Sequence, residues 1–171
     1  MEKYFYTYSK KTIITKLKKD KKLLHFYLNY LKNYVFKLSK TYKKATLDTA
    51  IDHIKYDKKS YSGHKIVILK MGNQNVAISN LIILNGNNNL GKPLNLKKDS
   101  LYLYSSYVLP KYRYRGINRL MVKYIKYKFK HDIYIIIKNN NIPSIKSYEK
   151  VGFKKTNIKS HYGDDYFYYK L

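Results

Sequence analysis

The chain has 171 residues, 44% of them hydrophobic, and a formal net charge of +26; this is enough apolar content to fill one core and too much for a disordered chain. Its longest unbroken apolar run, Ile133 to Ile137, falls far short of the roughly 18 residues that suggest a membrane span, and with no cysteine disulfides, thiolate nucleophiles and cysteine-bound zinc are excluded. The opening residues alternate charged and aromatic side chains and show no signal-peptide pattern, so a cytoplasmic protein without a membrane partner is expected.

Lys3 to Tyr8 reads as a first strand. Leu24, Tyr27, Leu28, Leu31, Val35 and Leu38 then recur at helical spacing and predict an amphipathic helix. A second short helix carries Leu47, Ala50, Ile51 and Ile54, with Thr46 or Asp48 as its cap. Lys65 to Lys70 and Val76 to Leu84 are aliphatic and β-branched, and Met71 to Asn75 between them has hairpin turn chemistry. Asn85 to Lys98 is a loop rich in Asn and Gly.

Leu101 to Val108 alternates as a strand, Ile117 to Phe129 has helical spacing, and Ile133 to Lys138 is the apolar run of a buried strand. A helix from about Pro143 to Lys150 stops at Gly152, and Tyr166 to Leu171 closes the chain as a strand. Neither a repeat nor a linker interrupts this order, so residues 1–171 are expected to form one mixed α/β domain. Its simplest architecture is an antiparallel meander followed by a parallel strand pair joined by a right-handed crossover helix.

The segment from Val108 to Leu120 closes a strand and opens a helix. The first amides of a helix have no internal partner and the peptide dipoles add positive charge there, so such a turn can hold phosphate. Gly116 allows close approach. All three arginines, Arg113, Arg115 and Arg119, fall in this segment although lysine supplies the other 33 basic residues; their planar forks suit phosphate oxygens as lysine does not.

This turn resembles the acetyl-CoA-binding motif of the GNAT superfamily of N-acetyltransferases: Arg or Gln, two residues, Gly, one residue, then Gly or Ala. Arg113 and Gly116 match, Val108-Leu109-Pro110 is similar to the family's lead-in, and Asn118 departs from it. A second stretch, Asn141 to Phe153, is similar to the family's Asn-x-x-Ala-(x)3-Tyr-Glu-Lys-x-Gly-Phe helix, with Ser144 at the alanine position. The resemblance covers about Lys65 to Leu171. It implies an α/β (α+β) fold with a mixed, mostly antiparallel sheet, a central parallel strand pair and flanking helices.

It further implies direct transfer of an acetyl group from acetyl-CoA, the co-substrate, to an amine on a small molecule or a protein. The backbone of Arg113, Tyr114, Arg115, Gly116, Ile117 and Asn118 would hold the pyrophosphate, and Tyr107 and Val108 would line the pantetheine arm together with Asn141 and Ser144. Tyr148, which would also contact the cofactor, would protonate the departing thiolate.

An attacking amine must be neutral, which calls for a general base or a water relay. Leu101 to Val108 has no carboxylate, and Glu2 and Glu149 are the only glutamates. Ser105 and Ser106 are placed to hold water, and Asp99 and His161 are further candidates that read more simply as loop or turn residues. Asp164 and Asp165 look like turn residues. His25, His53, His64 and His131 lack ligand spacing, and no metal is expected.

The charge would ordinarily point to nucleic acid. However, Lys, Asn, Ile and Tyr supply more than half of the chain, and their codons all begin with A or T pairs, so the profile fits an AT-rich genome. Nucleic acid is therefore a possible but unfavoured partner. The alternative from a different class is a catalytically inactive scaffold of the same fold that binds nucleic acid or a protein through its basic surface, motivated by Asn118 and the missing base.

Overall fold

The computed structural model describes residues 2–35, 46–56, 63–86, 89–96, 98–160 and 162–171, with no statement on the side chains of 34–35. Leu38 and His161, and the side chain of Val35, therefore lie outside the described residues. Seven strands form one sheet: β1 (Lys3–Ser9), β2 (Lys65–Met71), β3 (Gln74–Leu84), β4 (Ser100–Val108), β5 (Ile133–Lys138), β6 (Lys154–Ser160) and β7 (Gly163–Lys170), in the order β1-β2-β3-β4-β5-β7-β6. Every pairing is antiparallel except β4 with β5. The fold is thus the mixed, mostly antiparallel α/β sheet with a central parallel pair.

Helices cover both faces. On one, α1 (Lys10–Lys19), α2 (Lys21–Tyr30) and α3 (Leu47–Tyr56) pack against Ile66, Ile68 and Ile78. The buried stripe of α2, Leu23, Phe26, Tyr27 and Tyr30, has helical spacing. On the other face lies α4 (Ile117–Phe129), whose Ile117, Met121, Val122 and Ile125 bury against the aliphatic residues of β2 to β5; each such side chain contributes on the order of 1.5–3 kcal/mol on leaving water. The short helix α5 (Ile142–Glu149) joins this layer through Ile145 and Tyr148.

Several expectations change in detail. The helix expected to run through Leu38 is broken: α1 precedes it, Asp20 ends α1 and caps α2 by accepting from Leu23 N–H at 2.9 Å, and after Tyr30 the chain continues as a π-helix over Leu31–Val35. Asp164 and Asp165 belong to β7, which starts at Gly163, and not to a turn. The loop after β3 contains a 3₁₀ turn at Lys92–Leu94, and its Leu90 and Leu94 are buried against Tyr102, Tyr134 and Tyr168.

Candidate functional site

The site is built where β4 ends. Asn80 of β3 opposes Ser105 while the next residue, Leu81, opposes Leu103, so Tyr104 is an extra residue bulged out of β4. The bulge swaps the faces of the strand. Before it, Leu101 and Leu103 pack on the α4 side; after it Ser106 and Val108 take that side, while Ser105 and Tyr107 turn towards α2. There Tyr30 Oη lies 3.0 Å from Ser105 Oγ, and Asn80 Nδ2 donates to Ser105 Oγ at 2.8 Å and to Tyr30 Oη at 3.1 Å.

Beyond β4 the chain turns through a 3₁₀ segment, Pro110–Tyr112. Arg113 Nε donates to Val108 O at 3.1 Å, and its guanidinium sits 5.8 Å from the centre of the Tyr107 ring. Burial raises the Tyr107 phenol pKa, an effect that the nearby Arg113 charge opposes. Tyr114 and Gly116 both have positive φ, +61° and +72°, and, its two chain neighbours aside, no atom of the described residues lies within 4 Å of where a Cβ on Gly116 would stand. Gly116 precedes α4 without a side-chain cap, and the helix bonds begin with Leu120 N–H to Gly116 O at 3.0 Å. The amides of Ile117, Asn118 and Arg119 therefore open outward.

These amides face a cleft of 730 Å³. Its walls include Arg113, Gly116, Asn118 and Arg119 on one side, Ser106 and Val108 of β4, and Ser144 and Ser147 of α5. Of the residues expected at the site, Tyr107, Tyr114 and Ile117 also line it, whereas Arg115, Asn141 and Tyr148 do not. Arg115 is exposed, with its guanidinium 5.9 Å from the Tyr112 ring. Asn141 is the N-cap of α5, its side chain accepting from Ser144 N–H at 3.4 Å.

Tyr148 is half-buried, its ring edge-on to Phe153 with centroids 5.3 Å apart. Burial sets its phenol pKa above the usual value, and the Ser106 side chain of the cleft wall opposes that shift as the smaller effect. Such a phenol stays protonated at neutral pH and is an acid rather than a base.

Residues not singled out from the sequence complete the walls: Asn33, Tyr112, Lys146, Ser147 and Lys150. For α5 a signal existed, since Ser147 falls three residues after Ser144, on the same side. Asn33 had none, because the π-helix that carries it follows α2 without a break in the sequence pattern. Among the described residues no carboxylate lines the cleft. Asp99 immediately precedes β4 and so lies a strand length away, about 30 Å, beside His131, whose Nδ1 is 3.1 Å from Asp99 O. Among the described residues no cluster of three His, Asp or Glu side chains is placed to hold a metal ion, and no helix is long and apolar enough to cross a membrane.

The acetyltransferase (GNAT) family model matches residues 28–153. No curated protein matches the sequence. Among solved structures, an acetyltransferase from Thermus thermophilus superposes with a TM-score of 0.66 at 14% identity, covering 100% of this chain and 97% of that one. The N-acetyltransferase PseH of Campylobacter jejuni, in complex with acetyl coenzyme A, gives 0.58 at 16% identity, with 99% and 98% covered. A PaiA N-acetyltransferase from Thermoplasma acidophilum, in complex with coenzyme A, gives 0.54 at 12%, with 99% and 98% covered. At these identities the likeness is one of fold.

Proposed function

The chain belongs to the GNAT family of acetyltransferases, and on that premise we propose that it transfers the acetyl group of acetyl-CoA to an amine by direct attack. One observation carries this reading: a single cleft joins the uncapped start of α4 to Ser106 and Val108 at the end of β4 and to Ser144 and Ser147 of α5, the helix that carries Tyr148. Its volume lies within the range of small-molecule sites. Open amides at a helix start bind phosphate oxygens, and Arg113 adds a guanidinium at the same mouth.

In this reading the pyrophosphate lies against Ile117 to Arg119 and the pantetheine arm runs along Ser106 to Val108 towards α5. The amine lone pair forms the new C–N bond as the C–S bond breaks, the sulfur takes the Tyr148 proton, and the nitrogen gives up one proton to water, from which Tyr148 regains its own. Burial serves this role by keeping the phenol protonated until it is needed. The polar atoms of Ser144 and Ser147 border the arm, and Asn141 acts from outside the cleft as the cap that starts α5.

Calorimetric titration of acetyl-CoA at physiological salt, with ATP as a polyanion control, tests the reading. Saturable one-site binding that ATP does not reproduce, and that Arg113→Ala weakens, is expected. Equal binding of ATP, or none of acetyl-CoA, overturns the reading and favours the inactive scaffold, whose nucleic-acid affinity would fall steeply with salt.

A further inference from the structure

A second cavity, of 510 Å³, opens between α2 and the β2–β3 hairpin and shares no wall residue with the cleft. Lys21, Lys22, His25 and Asn29 border it from α2, where spacings of three and four residues set them on one side of the helix. Asn73, Gln74 and Asn75 border it from the hairpin. Phe26, only 4% exposed, and Leu109, the residue after β4, add an apolar wall.

Lysine is spread over much of the chain, so cations alone do not make a site. Here they converge with other donors on one enclosed volume. The Tyr112 hydroxyl donates to Gln74 Oε1 at 3.0 Å, which leaves the two N–H donors of that carboxamide for the cavity. An imidazole carries an N–H donor in either charge state. Among the described residues no carboxylate lines the cavity, and none pairs with Lys21, Lys22 or His25. Asp20, next to Lys21 in the chain, accepts from Leu23 N–H as the cap of α2.

Hydrogen bonds between charged partners are about twice as strong as neutral ones, and a buried ring beside them rewards apolar contact. The volume lies within the range of small-molecule sites. We propose that this cavity is a second binding site, taking a small organic anion that joins a phosphate or carboxylate to an apolar body. Lys21, Lys22, His25 and the Gln74 amide hold the anionic group, and the body lies against Phe26 and Leu109. The inference does not rest on the acetyl-transfer reading. Wall residues of the two cavities are hydrogen-bonded to each other, Tyr112 to Gln74 and Asn33 Nδ2 to Asn29 O at 2.8 Å, so the anion sits beside the cleft and leaves it open.

Titration of the isotope-labelled full chain at neutral pH and physiological salt, read by NMR at individual amides, tests the site. Phenyl phosphate or phenylacetate is expected to shift Phe26 and residues 73–75 saturably, in the low millimolar range or below. Inorganic phosphate, which lacks the body, and benzyl alcohol, which lacks the charge, should bind at least about fivefold more weakly. Lys21→Gln with Lys22→Gln should weaken the organic anion at least about fivefold. The same charge removed from the exposed side of α4, by Lys123→Gln with Lys128→Gln, should change it less than about twofold. Coenzyme A added afterwards should leave the anion in place.

Absence of saturable shifts at 73–75 overturns the site. Equal binding of inorganic phosphate would mean an adventitious ion only, equal binding of benzyl alcohol an apolar hollow, and equal loss in the α4 variant attraction to the overall charge; each overturns it. Displacement by coenzyme A overturns it too, by making the cavity part of the cleft. Coenzyme A that leaves Ile117 to Arg119 unshifted overturns the acetyl-transfer reading instead, a distinguishable result.

Discussion

Two helices meet the cleft with their N-termini, and they begin in opposite ways. At α5, Asn141 closes its own turn by accepting from Ser144 N–H, and Pro143 has no amide to satisfy. At α4, Gly116 stands at positive φ with no side-chain cap. The other three helices resemble α5: Ser9, Asp20 and Thr46 accept from Thr12, Leu23 and Thr49 amides respectively. Against a capping side chain a glycine at this position gives up only a few tenths of a kcal/mol, so the start of α4 leaves its amides open at little cost in stability. Under the proposed function the contrast is a division of labour, in which α4 would provide affinity for a phosphate and α5 would provide the acid.

The sharpest test of that division is Tyr148→Phe. It removes the proposed proton donor on α5 and leaves α4 alone, so kcat for thiol release should fall about 100-fold with acetyl-CoA affinity unchanged. Because the phenol pKa is raised by burial, the donor stays protonated from acid pH up past its ordinary value, and the wild-type rate should not decline on its account between pH 7 and 9. A parallel loss of affinity would place Tyr148 in cofactor binding instead.

Gly116→Ala attacks the other helix. At φ +72° an L-residue costs about 1–2 kcal/mol, which chemical denaturation would read. The methyl group enters the space in front of the open amides, and acetyl-CoA affinity should fall at least about tenfold. A variant that loses stability but keeps affinity would make Gly116 a turn former only.

Asn141→Ala is the converse. It should cost about 1 kcal/mol of stability through the lost cap and leave acetyl-CoA affinity untouched, because the side chain does not line the cleft. A tenfold loss of affinity without loss of stability would restore the direct contact that the family resemblance implies for this residue.

The unequal legibility of the sheet has a physical origin. β4, α4, β5 and α5 carry their apolar residues at regular spacing because both faces of the central strands are buried, and α4 and α5 are bounded by Gly116, Asn141 and Gly152. β6 gave no signal: its Lys154–Ser160 stretch lies at the sheet edge, with one buried residue and the Lys159–Asp164 ion pair outside. α1 was missed because only Ile13 and Leu17 bury among its lysines. At the site, the arginine and glycine turn was readable because its chemistry is local. The bulge at Tyr104 was not, since it depends on strand register across residues far apart in the chain.

Asn118 probes the smallest difference between the two helix starts. It occupies the first turn of α4 where the family pattern has a small residue, lines the cleft, and is half-buried. A bulky group there would crowd an anion, yet a carboxamide carries two N–H donors and stands among three open amides, where a donor adds to the same positive field. The donor should win, because the side chain borders open cleft space rather than a packed wall. Asn118→Ala should therefore weaken acetyl-CoA by about fivefold, the value of one hydrogen bond near 1 kcal/mol. It should also raise stability by a few tenths of a kcal/mol, since alanine is the better helix former. Tighter binding in the variant would give Asn118 the steric role and show that α4 begins with less affinity than its open amides can provide.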